Sequence, residues 1–190
     1  MAMKINGIGD SYTVPRVITD YLFKRFDLTM SAIISGGIIK TVDIKAVLEN
    51  AWNGVVAKSK QKPCNDYFKT LFRAKSLAEI LDEGDIIFHC LEPKSGYSDS
   101  VLPEANTAGR DIGINPVLFF DSGPNVLVCA LIHELAHVGG ASTDRGAVLD
   151  KAHAAEKALM SCSCTRQYRK DVLGSIRILK SASGFGRRYA

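Results

Sequence analysis

Apolar and polar positions divide the chain into helix-like and strand-like stretches. Val17, Ile18, Tyr21, Leu22 and Phe26 recur at helical spacing and Pro15 suits a first turn, so residues 15–26 are expected to be helical. Residues 32–39 are apolar around Gly36-Gly37 and fit neither period. Ile44, Val47, Leu48 and Trp52 predict a helix over residues 41–56, and Ser76 with Glu79 has capping-box spacing for another that Gly84-Asp85 ends. The apolar run at residues 86–91 reads as a strand. Residues 92–109, with Pro93, Gly96, Pro103 and Gly109, read as a long loop, and residues 111–120 as a second strand. Pro116 lacks a ladder donor, so that strand is expected at an edge or a bulge. Asp121-Ser122-Gly123-Pro124 is a helix-start signal for residues 125–138, which Gly139-Gly140 stops. A further helix is expected over residues 147–162. Val172, Leu173, Ile176 and Leu179 form a stripe expected on a C-terminal helix with its cations outward.

The whole reads as one α+β domain of 190 residues: a mostly helical part over 1–84, a core with a small sheet over 85–164, and a basic helix and tail over 165–190. Hydrophobic residues make up 46% and charged residues 23%, which excludes disordered and collagen-like classes. No run is long enough for a membrane helix, and the first residues lack a secretory h-region, so a cytoplasmic location is expected, with leaderless export as an alternative. The net charge of +4 is uneven: seven cations but only one anion, Asp171, follow Thr165. That segment is either a solvated face or a contact for an acidic partner. No nucleic-acid motif accompanies it, so nucleic acid is not an expected partner. Five cysteines at wide spacing argue against a disulfide framework, and Cys162-x-Cys164 is not a zinc knuckle.

The helix over 125–138 is apolar nearly all round, so it should be central. Apart from Cys129, its ionisable side chains are His133, Glu134 and His137, and burying them without partners is costly. Four helical residues turn through about 400°, which leaves the two imidazoles about 40° apart and one turn apart. Both can reach one tetrahedral zinc ion, while Glu134, about 100° from His133, can act as general base on a water beside it. The stretch Ala130-Leu-Ile-His-Glu-Leu-Ala-His-Val-Gly-Gly140 resembles the active-site helix of the zincin metallopeptidases. The resemblance implies zinc-dependent hydrolysis of peptide bonds, and a strand before the helix that pairs with an extended peptide, a part that residues 111–120 could play.

A third metal ligand is needed. Placed at about 100° per residue, Glu156 falls in the centre of the apolar stripe of its helix, where a carboxylate calls for a cation. A glutamate on a second helix resembles the gluzincin layout, although Ala152-His-Ala-Ala-Glu-Lys157 departs from its usual motif; the metzincin spacing is absent. Asp144, in a segment loosely similar to the aspzincin element, is the alternative ligand or a helix cap. His153 is a further candidate. Tyr97, Arg110, His153 and Tyr168 are conceivable oxyanion donors. His89, among apolar neighbours, reads as an ordinary half-buried histidine. The same site could serve a specialised amidase or a toxin-like exported protease, and a non-enzymatic zinc module with a basic tail is the other alternative.

Overall fold

The computed structural model describes residues 3–7, 21–93, 105–120, 125–141, 149–164 and 177–179. A mixed sheet is built around β5 (Ile86–Pro93). β1 (Met3–Ile5) joins it in parallel and β2 (Tyr21–Lys24) antiparallel further along. Beyond it lies the parallel β7 (Asp111–Ile114), and β6 (Ala105–Ala108) runs antiparallel to β7 at the edge. Phe88, His89, Cys90 and Leu91 are all fully buried, so both faces of β5 are covered. That explains why its sequence is a continuous apolar run rather than an alternation.

A second, antiparallel sheet holds β3 (Thr29–Ile34) between β4 (Ile38–Asp43) and β8 (Arg177–Leu179). The ambiguous stretch around Gly36-Gly37 is its hairpin: φ is 83° at Gly36 and 76° at Gly37, a left-handed pair that glycine adopts at little cost. With the helices below, the architecture is α+β.

The structure corrects several expectations. The N-terminal part is not mostly helical: β1 to β4 lie there, and Tyr21–Lys24, placed in a helix by its periodicity, is a strand. Phe23 is buried against His89, with ring centroids 5.3 Å apart, and the pairing with β5 outweighs a short stretch of helical spacing. The rest of the expected first helix lies largely outside the described residues. Arg177–Leu179 is likewise a strand, and its ladder satisfies backbone groups on β3; the other basic-tail residues lie outside the described residues. Finally, the expected loop contains β6, and the expected edge strand at 111–120 is the interior β7 followed by a 3-10 turn at Pro116–Phe119. Pro116 ends the ladder instead of sitting within it.

The helices follow the periodicity more closely. Helix α1 (Ile44–Lys58) is capped by Asp43, whose carboxylate accepts from Ala46 N at 2.9 Å. Helix α2 (Lys62–Phe68) is short, and α3 (Leu77–Asp82) has the expected capping box of Ser76 and Glu79. Helix α4 (Val126–Val138) runs through the core against α1, α3, α5 (Leu149–Ser161) and β6. Gly54 admits it closely: a Cβ there would come within 2.7 Å of Val128. Contrary to the reading of the cysteines, Cys64 on α2 is disulfide-bonded to Cys162 at the end of α5. The sequence separation of 98 hides a pair that the packing of α2 on α5 brings together. Among the described residues, no helix is long and apolar enough to cross a membrane.

Candidate metal centre

Ten of the thirteen residues of α4 are buried apolar groups or Glu134; His133 and His137, one turn apart, are only partly covered. The helix is thus held from all sides except where its two imidazoles emerge. Their rings meet edge to face with centroids 5.0 Å apart, and Nε2 of His133 stands 3.3 Å from Nε2 of His137.

The Nδ1 atom of each ring lies near an oxygen, and in His137 this sets the tautomer. His137 Nδ1 lies 3.0 Å from the carbonyl oxygen of Ala141. A carbonyl only accepts, so Nδ1 carries the proton and Nε2 presents a lone pair in the neutral ring. Gly140 makes this contact possible: with φ of 95° it turns the chain back, Ala141 N donates to Ala136 O at 2.9 Å, and the carbonyl swings under the ring. His133 Nδ1 lies 3.3 Å from Glu156 Oε1 of α5, an ion-pair contact that is not a hydrogen bond and leaves the tautomer of this ring open. His137 Nε2 therefore presents a lone pair toward His133 Nε2, and either a proton on His133 Nε2 or a cation between the rings satisfies the contact. Nitrogens bound about 2.0–2.1 Å from a tetrahedral zinc ion stand about 3.3–3.4 Å apart, so the observed separation fits such an ion.

Glu134 points elsewhere, as the helical geometry requires. It is 4% exposed, and its carboxylate accepts a hydrogen bond from the Thr107 hydroxyl of β6 at 2.8 Å. Glu156 stands at the Nδ1 side of His133, not at Nε2, and among the described residues no three His, Cys, Asp or Glu side chains form a group able to hold a metal ion. Helix α5 is positioned by the disulfide and by the Tyr67 hydroxyl of α2, which donates to the carbonyl of Ala154 at 2.8 Å; burial pushes that phenol's pKa up.

Of the other candidates, Asp144, Tyr97 and Tyr168 lie outside the described residues, and His153 is placed on α5 by its backbone alone. Arg110 is engaged elsewhere: its guanidinium donates to the carbonyls of Ile80, Gly84 and Asp85 and to the Glu83 carboxylate, closing the end of α3. It is thus not aimed at the histidine pair. His89 is fully buried rather than half-buried, between Asn6 and Asp111.

Thr107, Ala141 and the Cys64–Cys162 bond were missed in the sequence. A threonine in a polar stretch carries no signal, and a backbone carbonyl carries none at all. The glycine pair before Ala141 was legible only as a helix stop. No protein-family model, curated protein or solved structure matches the chain.

Proposed function

We propose that this protein is a zinc-dependent metallopeptidase. The observation that carries the reading is the pair of facing Nε2 atoms one helical turn apart, with His137 turned inward by the carbonyl at its Nδ1, beside a buried carboxylate one residue along. His133 and His137 would hold the ion through Nε2; Glu156, expected from the sequence as the third ligand, stands at Nδ1 of His133 and would orient that ring instead. Bound there, zinc would supply Lewis acidity, acidifying a water and polarising a carbonyl. Glu134, the one carboxylate of α4, would take a proton from the attacking water and return it to the leaving amine. Ala141 holds His137 in the tautomer that leaves Nε2 available. An extended peptide would lie along β6, the edge strand next to Glu134.

The disulfide bears on where the protein works. Such bonds persist in oxidising compartments and are rare in the cytosol. The Cys64–Cys162 bond thus favours an exported protein over the cytoplasmic location expected from the N-terminal residues.

The test is Glu134→Gln. Gln is nearly isosteric but cannot take the water's proton. The variant should keep its fold and about one zinc per chain by metal analysis, and lose at least about 10²–10⁴-fold in turnover of an internally quenched peptide library. Undiminished turnover in the variant, or a wild-type protein that takes up no zinc, would sink the proposal.

A further inference from the structure

Thr107 lies on β6 opposite Ile112 of β7, so its side chain is on the sheet face that meets α4. Its hydroxyl has one proton and two acceptors of the same residue within reach: the Glu134 carboxylate at 2.8 Å and the Glu134 carbonyl at 3.2 Å. The carbonyl contact places the hydroxyl over the helix at residue 134. The shorter contact draws the carboxylate back toward the sheet edge. Glu134 is nearly fully buried on an apolar helix, where a carboxylate without a donor is costly and free to choose the wrong rotamer.

We propose that Thr107 is a positioning residue that holds the Glu134 carboxylate in register with β6, so that a peptide added to that edge meets a base already aimed. The catalytic part rests on the metallopeptidase reading. The strand and the base then move as one unit, because a single hydroxyl ties both to residue 134. A valine at 107 keeps the shape and removes the donor; a serine keeps the donor and loses only a methyl group.

The experiment uses the full chain, zinc-loaded, with the same quenched peptide library. Thr107→Val should lower kcat by about 10–100-fold, in line with the cost of a base misplaced by about 1 Å, with KM and zinc content unchanged. Thr107→Ser should stay within about threefold of wild type, since it restores the donor. In the Glu134→Gln background Thr107→Val should cause no further loss, since there is no base left to aim. Unchanged kcat in Thr107→Val, equal impairment in both variants, or additive losses would overturn the positioning role while leaving the metallopeptidase reading intact. A second readout needs no turnover: in the metal-free protein the effects of Thr107→Val and Glu134→Leu on melting temperature should be non-additive, because both break one contact. Additive shifts there would remove the link itself. Non-additive shifts in a protein that neither takes up zinc nor cleaves peptide would overturn the metallopeptidase reading, and with it the catalytic role of Thr107.

Discussion

Two histidine sites in this molecule use the same components to opposite ends. In the sheet, His89 lies between Asn6 and Asp111, with Asn6 Nδ2 3.1 Å from Nδ1 and Asp111 Oδ1 2.8 Å from Nε2. The amide donates to Nδ1 and Nε2–H donates to the carboxylate, so both ring nitrogens are used inside the protein. On α4, His133 and His137 have oxygens at Nδ1 and turn both Nε2 atoms toward each other. Burial does not separate the two arrangements, since the fully buried ring is the closed one and the partly covered pair is the open one. The separation comes from where the second nitrogen points. Burial also pushes the pKa of His89 down to about 4, which keeps it neutral and out of acid–base chemistry near neutral pH.

The largest contrast to test is metal retention. His133→Ala or His137→Ala should abolish zinc binding, because each removes one of the two facing nitrogens. His89→Ala should leave the zinc content of the folded protein unchanged, since neither of its nitrogens faces the pair. Metal analysis of the three variants after dialysis against a mild chelator checks this. If zinc is lost equally in all three, or retained in all three, the two sites are not distinguished by ring orientation.

How much of this was legible follows from the range of each signal. Helices α1, α4 and α5 were found because their apolar stripes repeat over at least one full turn, and α3 because Ser76 and Glu79 form a capping box within three residues. Spacing alone put His133, Glu134 and His137 on one helix with the right divergence, since 3.6 residues per turn is a local property. What failed was set by pairing between distant segments. Tyr21–Lys24 and Arg177–Leu179 are strands because β5 and β3 offer them ladders. Thr107 reaches Glu134 only because β6 folds back beside β7, and Cys64 meets Cys162 only because α2 packs on α5. Glu156 was expected in the centre of an apolar stripe, but its side chain is 45% exposed, so water rather than a cation covers part of it, and the wheel could not say which nitrogen of His133 it would meet.

The closed site should reveal itself in acid. The free imidazole titrates near 6.5 and the folded His89 at about 4. Between these values the unfolded chain binds a proton that the folded chain refuses, so stability is full above about pH 6.5 and falls as the pH drops toward about 4, by on the order of 3 kcal/mol. The groups facing the ring are Asn6, Asp111 and Phe23. Burial raises the pKa of Asp111, which acts with the opposite sign: its protonation on acidification favours the folded state and offsets part of the loss. Urea unfolding at pH 7.5 and pH 4.5 should give a smaller pH dependence for His89→Gln than for wild type. An identical dependence would show that His89 does not control the acid limb.

The smallest expected effect concerns Glu156, and it decides how far the open site differs from the closed one. A carboxylate against a histidine nitrogen occurs in both: Asp111 at Nε2 of His89 and Glu156 at Nδ1 of His133. In the closed site that contact uses up the ring; in the open site it lies at Nδ1 and leaves Nε2 turned toward His137. If Glu156 acts only through His133 in this way, Glu156→Ala should weaken zinc binding by about 10–100-fold, the usual cost of losing a partner that orients a ligand. If the carboxylate itself binds the ion, the loss should approach that of His133→Ala. Glu156→Gln separates the two further, because the amide oxygen can still accept from Nδ1 but is a poorer metal donor. From the position of Glu156 at Nδ1, the expected result is partial loss in Glu156→Ala and near-recovery in Glu156→Gln, measured by competition with a zinc chelator. Equal and severe loss in both would make Glu156 a direct ligand, and no loss in either would leave His133 oriented by something other than this carboxylate.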